Sequence, residues 1–266
     1  MTVAEPRTDP FWSGQGEELE DLSRLHEAQP WTPEGMPLSR SAFTTFAAAE
    51  AGLLRGPRVS DEAAVEELHH AGLVDGSGRL TEDGRSTHTL LRSADRRIRV
   101  ESAAAGVPGT YEAARVRGSV VVWATDSPQT WAGTEPVGKD RLASATTGTL
   151  MWLPTMHLAA DLAAWLQVGP AWPMALSPDR LPRELVAQRT DDATAPPPSG
   201  ADEHLREIWG QPWFTWTLTS DTEHRVAGVH AGRHGHLRLT DEGDEVVLSP
   251  LPSEPLFAIL VGMSLL

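Results

Sequence analysis

Cysteine is absent from this sequence of 266 residues. Its absence excludes disulfide bonds, thiolate metal sites and a cysteine nucleophile. Uninterrupted apolar runs of about 18 residues are missing as well, and the first 15 residues lack the basic and then apolar pattern of a secretory signal. We therefore expect neither a membrane-spanning helix nor secretion by a standard signal.

Positive charge is scarce. The chain has 22 Lys and Arg residues against 37 Asp and Glu residues, which gives a formal net charge of -15. Proteins that bind nucleic acid need clustered Lys and Arg to displace counterions from phosphates. The charge balance therefore predicts a cytoplasmic protein with no nucleic-acid partner.

The familiar catalytic motifs are missing too. The sequence contains no Gly-x-Ser-x-Gly elbow, no Walker loop and no His-Glu-x-x-His helix. A glycine-rich stretch at residues 228–235 leads into a strand, whereas phosphate-binding loops lead into a helix N-terminus. We expect a hairpin turn there, and a protein that is not an enzyme and uses no cofactor.

Histidines concentrate in the same hairpin, at His224, His230, His234 and His236. On a regular strand His234 and His236 would share one face at a spacing that suits metal ligands. No carboxylate stands at a recognisable partner spacing, so the sequence predicts no metal site.

A pattern of strand, proline and amphipathic helix occurs twice. The residues 150–153 and 246–248 are strand-like, each is followed by a proline and a hydroxyl residue that can cap a helix, and apolar residues then recur at helical spacing. The matching positions are Pro154, Thr155, Leu158, Leu162 and Trp165 in the first copy and Pro252, Ser253, Leu256, Leu260 and Met263 in the second.

Three strand-like segments precede each copy, at 97–102, 111–117 and 119–124 and again at 213–219, 225–230 and 236–240. We predict an α+β fold with a quasi-two-fold repeat of four antiparallel strands plus a helix around a central sheet, with added N-terminal helices. The predicted boundaries are a loose tail with a short helix at 1–37, a first half at 38–190, a Pro-rich connector at 191–200 and a second half at 201–266.

Helices are predicted before the first strand group. Residues 17–28 form a short acidic candidate with Leu19, Leu22 and Leu25 on one side. Further on, Ser39 or Ser41, then Ser60, then Thr81 can cap three helices. Because a small hairpin separates the last two, a winged-helix regulator is the competing interpretation. Acidic residues fill this region where a groove-reading helix needs Arg, Lys, Asn or Gln, which favours a helical layer packed on the sheet.

Tryptophan supplies most of the aromatic side chains: there are ten Trp, one Tyr and five Phe. Most Trp positions follow strand or helix periodicity and are expected in the core. Three tryptophans fall outside this periodicity or lie near loops, namely Trp131, Trp172 and Trp213. Large amphipathic rings at such positions suit partner-binding anchors.

Several stretches together resemble the EspG family, the cytosolic secretion-associated chaperones of the ESX (type VII) systems of actinobacteria. They are Gly72-Leu-Val-Asp-Gly-Ser-Gly, Arg97-Ile-Arg-Val-Glu, Ser119-Val-Val-Val-Trp, Leu153-Pro-Thr-Met-His-Leu-Ala-Ala-Asp-Leu and Gly232-Arg-His-Gly-His-Leu-Arg-Leu, the last followed by Val-Val-Leu-Ser-Pro and a closing helix. The resemblance spans residues 38–266. It implies a quasi-two-fold α/β fold, no enzymatic activity, and recognition of helical secretion substrates such as PE–PPE heterodimers.

Overall fold

A computed structural model describes residues 30–49, 59, 61–133, 145–169, 179–221 and 224–265. In these ranges the chain forms a ten-stranded sheet in which every pairing is antiparallel. The strands are β1 (Met36–Ser39), β2 (Arg96–Ala104), β3 (Val107–Val116), β4 (Ser119–Thr125), β5 (Thr147–Pro154), β6 (Asp179–Pro182), β7 (Trp213–Ser220), β8 (Arg225–Ala231), β9 (His236–Glu242) and β10 (Glu245–Leu251).

The strands lie in the order β1-β5-β4-β3-β2-β7-β8-β9-β10-β6. Two consecutive meanders, β2 to β5 and β7 to β10, meet where β2 pairs with β7, and a short strand is added at each outer edge. The eight predicted strands and the predicted α+β class are confirmed. The edge strands β1 and β6 were not predicted.

Seven α-helices accompany the sheet in the described ranges. They are α1 (Arg40–Ala47), α2 (Glu62–His70), α3 (Glu82–Arg92), α4 (Leu158–Trp165), α5 (Arg183–Asp191), α6 (Glu203–Trp209) and α7 (Ser253–Leu265). None of the helices within these ranges has the length and apolarity needed to cross a membrane. The predicted helix at 17–28 lies outside the described residues.

Alternation along the strands gives the sheet two buried faces. One face packs against α4 and α7 in the largest core, where Leu162 and Leu260 are fully buried. The opposite face is covered at its two ends by separate helical groups, α1 to α3 over the first half and α5 with α6 over the second. Between these groups the central strands present Arg99, Glu101 and Glu112, which form ion pairs with one another and with Arg40.

The predicted helix caps are confirmed for two helices and wrong for two others. Ser39 and Thr81 cap α1 and α3, as predicted, by accepting hydrogen bonds from main-chain N–H groups. The prediction of Ser60 as the cap of α2 is wrong, because the carboxylate of Asp61 accepts those bonds. Thr155 does not cap α4 either: its hydroxyl donates to the carbonyl oxygen of Arg117, and a 3-10 turn at Thr155–His157 leads into the helix.

The edge strand β6 and helix α5 precede the predicted connector in sequence but pack with the second half. β6 pairs with β10, and Val186 of α5 belongs to the same core cluster as α6. Residues 179–191 therefore contact β10 and α6, which follow the connector at 191–200 in sequence.

The Trp123 side chain ties the first edge strand to the sheet. Its Nε1 donates to the carbonyl oxygen of Leu38 in β1 at 2.9 Å, and its ring stacks on Phe43 at 5.3 Å. Trp123→Phe keeps a ring for stacking but leaves a buried carbonyl without this donor, which typically costs 1 to 3 kcal/mol. We predict a loss of about 2 kcal/mol in the free energy of unfolding, measured by urea denaturation.

The matched control is Trp152→Phe on the neighbouring strand, where the ring is 42% exposed. This exposed site is expected to change stability by less than about 0.5 kcal/mol. Equal losses for both variants would contradict the role assigned to the Trp123 hydrogen bond.

Candidate partner-binding surface

Two of the three tryptophans predicted as anchors lie in the core. Trp131 is 6% exposed and belongs to the main core cluster, because the 3-10 turn at Pro128–Thr130 folds the loop back onto the sheet. The expectation that this ring lies outside the core is wrong. Its contact with a partner stays a prediction, as does that of Trp172, which lies outside the described residues.

Trp213 is even more enclosed, at 1% exposure. Its ring packs on Trp209 at 5.3 Å and under the guanidinium of Arg189 at 5.7 Å, and its Nε1 donates to Thr190 Oγ1 at 3.3 Å. It points to the face of β7 opposite Phe214 and Trp216, and α5 and α6 cover that face. The expectation of a position outside the core is wrong here as well.

The hairpin histidines lie in two different places instead of one cluster. His230 and His236 are cross-strand partners with ring centroids 4.9 Å apart, and both are buried. His234 lies in a 3-10 turn and packs near His204 of α6, with a centroid separation of 6.3 Å. The turn ends at Gly235, whose φ of 69° reverses the chain.

The expected shared face of His234 and His236 is therefore wrong. Among the residues that the structure describes, no group of three or more His, Asp or Glu side chains is placed to hold a metal ion.

Exposed apolar side chains point to a different surface. Four large apolar residues of the described chain are exposed: Trp152, Met156, Phe257 and Leu265. The last three belong to the helical layer formed by α4, its leading turn and α7. Their exposed fractions are 77% for Met156, 54% for Leu265 and 41% for Phe257.

Helices α4 and α7 lie side by side on one face of the sheet and run in opposite directions. The start of α7 reaches the end of α4, where the Ser253 hydroxyl donates to the carbonyl oxygen of Gly169. The end of α7 contacts the turn that leads into α4, and its Ser264 carbonyl accepts from Arg115 at 2.7 Å. The pair therefore presents one continuous outer surface.

We call this outer surface the α4–α7 surface. It consists of the outward residues of the α4 turn and helix and of α7, namely Met156, Ala160, Ala164, Phe257, Ala258 and Leu265. Glu254 is the only charged residue in α7, and residues 255–266 carry no charge in a chain whose net charge is -15. Exposed apolar patches are typical of surfaces that bind a protein or lipid partner, so this surface is the candidate site.

A partly buried carboxylate lies on α4, beside this surface. Asp161 accepts from Tyr111 Oη at 2.7 Å and from Trp31 Nε1 at 3.1 Å. Burial raises the pKa of Asp161, while the two hydrogen bonds oppose that rise. Burial, together with the charge of Asp161, raises the pKa of Tyr111 well above its usual value. This carboxylate therefore holds Trp31, which is near the start of the described chain, against α4 by a hydrogen bond.

Helices α2 and α3 bear on the winged-helix alternative. Both turn their apolar residues toward the sheet, where Leu68 and Leu91 join the cluster around Trp123. The outward side of α2 presents Glu62 and Glu66. The outward side of α3, however, presents Arg85, Ser86 and Arg92, which are donors of the kind that a groove-reading helix needs, so the winged-helix interpretation stays the alternative prediction.

No protein-family model matches this chain, and no curated protein matches it.

The environment of His234, near α6, is expected to make folding stability depend on pH. Burial, Arg233 and His204 lower the pKa of His234 to about 4, against an ordinary value of 6.5, and the Glu207 carboxylate lies 3.8 Å away. The unfolded chain therefore binds a proton between pH 6.5 and 4 that the folded protein does not. Folding stability is lost as the pH falls through this window, by up to about 3 kcal/mol at 1.36 kcal/mol per pKa unit.

We predict that His234→Gln flattens this part of the pH dependence when the free energy of unfolding is measured by urea titration at pH 7, 5.5 and 4.5. His157→Gln, at an exposed position on the opposite face, is the control and keeps the wild-type slope. A wild-type slope in the His234 variant would contradict the assignment.

Proposed function

We propose that this protein is a non-enzymatic cytosolic chaperone or adaptor that binds helical substrates of a type VII secretion system, such as PE–PPE-like pairs or other small helical-hairpin proteins. The α4–α7 surface is the observation that carries this proposal. Its partner covers Met156, Phe257 and Leu265, and binding requires no cofactor.

The fold supports the resemblance on which the proposal is based. The strand order on either side of the β2–β7 pair is the same, each meander ends in a helix on one common face, and each outer edge carries a short strand followed by a helix. Leu158 and Leu256, which occupy matching positions in the two copies, are both fully buried in the same core. We infer a quasi-two-fold axis between β2 and β7 that relates the two halves.

A helical partner suits the shape of the α4–α7 surface. Two antiparallel helices leave a shallow groove between their ridges, and a third helix packs into such a groove at an interaxial distance of about 8 to 10 Å. An amphipathic helix that docks this way contacts the groove through apolar residues at helical spacing. Substrates made of helical hairpins present such apolar faces, which have to be kept from water before secretion.

The surface also has few groups that would oppose burial. Burying a charge without a partner is costly, and the outward positions of α7 after Glu254 carry no charge. Phe257 supplies an aromatic ring of the kind that dominates binding energy at the centre of interfaces. Apolar contact rather than electrostatic attraction therefore holds the partner in this proposal.

The test is co-expression with a PE–PPE-like helical pair from the same genome, followed by size-exclusion chromatography and titration calorimetry. We predict a discrete complex that Phe257→Glu weakens by about 2 kcal/mol or more, close to thirtyfold in affinity, because a buried anchor is lost and a charge is introduced.

Trp152→Glu is the matched control. Its ring has nearly the same exposed fraction, 42% against 41%, but it lies on the side of the sheet opposite α4 and α7. This variant is expected to bind with wild-type affinity. Thermal melts of both variants check that they fold. No co-elution of the wild-type protein with the pair, or equal weakening by the two variants, would contradict the proposal.

A further inference from the structure

Hydrogen peroxide oxidises methionine readily, and this chain has no cysteine to compete for the oxidant. Six methionines occur in the sequence, and four of them lie in the described residues. Met151 and Met263 are buried, and Met36 is half-buried against the cluster around Trp123. Met156 is 77% exposed, which makes it the accessible thioether of the described chain.

Backbone hydrogen bonds hold Met156 in this exposed position. It is the middle residue of the 3-10 turn Thr155–His157. The N–H of Thr155 donates to the carbonyl oxygen of Gly118 at 3.0 Å, and its hydroxyl donates to that of Arg117 at 2.9 Å. The turn is therefore bonded to the loop between β3 and β4, and Met156 stays exposed at the place where α7 contacts the turn.

We propose that Met156 is a reversible oxidation site that controls partner binding at the α4–α7 surface. In the thioether form the surface is apolar and binds its helical partner. In the sulfoxide form it does not. This inference rests on the proposed function of the surface as a partner site, and it adds a chemical change that switches the site off.

The oxidant is hydrogen peroxide. The lone pair of the Met156 sulfur attacks one peroxide oxygen, and the O–O bond breaks. The departing oxygen takes the proton of the transferred oxygen and leaves as water. The thioether is thereby oxidised to a sulfoxide with a new S=O bond, while the peroxide is reduced.

A sulfoxide opposes burial under an apolar partner. Its oxygen is a hydrogen-bond acceptor, and the other side chains of the α4–α7 surface, which are alanines, Phe257 and Leu265, carry no donor. A polar group that is buried without a hydrogen bond disfavours association. Because Met156 is the most exposed of the large apolar residues on this surface, a partner that covers the surface also covers the sulfur.

The same exposure separates a switch from damage. Met151 and Met263 belong to the main core, where a sulfoxide would disturb the packing of the fold. At Met156 the added oxygen points into water, so the fold is kept. Methionine sulfoxide reductases convert the sulfoxide back to the thioether, and an exposed turn is open to such an enzyme.

Peroxide treatment of the free protein is the first test, with peptide mass spectrometry to follow each methionine in time. We expect Met156 to be oxidised about ten times faster than Met151 and Met263, or faster still, because their exposed fractions are 77%, 2% and 8%. The protein oxidised at Met156 is expected to keep its melting temperature within about 2 °C. Equal rates at the three sites, or early melting, overturn the proposal.

Binding is the second test. Catalase removes the peroxide, and titration calorimetry then measures the affinity for a PE–PPE-like helical pair from the same genome that has not met the oxidant. We expect the oxidised protein to bind about tenfold more weakly, or more weakly still, because the sulfoxide is buried without a donor. Treatment with methionine sulfoxide reductase is expected to restore the affinity.

Two leucine variants assign the effect to one sulfur. Met156→Leu keeps a similar apolar volume, so we expect it to bind the pair before peroxide and to lose no affinity after it. Met36→Leu is the matched control, since Met36 packs on the opposite face of the sheet, and it is expected to respond to peroxide as the wild type does. A loss of binding after peroxide in Met156→Leu overturns the proposal.

The outcomes separate this inference from the proposed function. A complex that is equally tight before and after selective oxidation of Met156 overturns the oxidation site, and the Phe257→Glu test of the surface still stands. No complex with the unoxidised protein overturns the proposed function and the oxidation site with it.

Discussion

The antiparallel pairing of β2 with β7 holds this fold together. It runs from Ile98 opposite Ser220 to Ala103 opposite Thr215 and joins two four-stranded meanders into one sheet. Because the sheet is continuous, the helices that close the two meanders lie next to each other on the same face. Leu162 and Leu260 then share one core, together with Trp216 from the centre of the sheet.

That arrangement also determines which apolar surface is left over. A helix that is apolar on all sides is normally buried on all sides. In α7 the buried positions, Leu256 and Leu260, pack on the sheet, while Phe257 and Leu265 point outward with no helix of the described chain above them. Among the described residues, the opposite face exposes a single large apolar side chain, Trp152, because helices cover both of its ends and ion-paired side chains cover its middle. The α4–α7 surface is proposed as the partner site because of this difference between the two faces of the sheet.

Local patterns in the sequence were sufficient for the eight meander strands, which alternate strongly, for α1 and α3, which have capping residues, and for α4 and α7, which have helical apolar spacing. The edge strands β1 and β6 were not predicted, because each has only four residues and contains a proline. Burial of Trp213 depends on α5 and α6 folding over that face of β7, a long-range contact that no local spacing reveals. The uncharged stretch at 255–266 was visible, but helical periodicity alone assigned it to the core and gave no sign of its exposed side.

Hydrogen exchange along α7, with and without a PE–PPE-like helical pair from the same genome, tests the central claim most directly. If the α4–α7 surface is the partner site, amides of Ser253–Leu265 and of the turn Thr155–His157 exchange more slowly in the complex, because binding suppresses local opening of this layer. Exchange in α1 to α3 and in the outer strands then stays unchanged. Protection confined to α1 to α3 or to the ion-paired strip around Arg99, with α7 unaffected, would contradict the account.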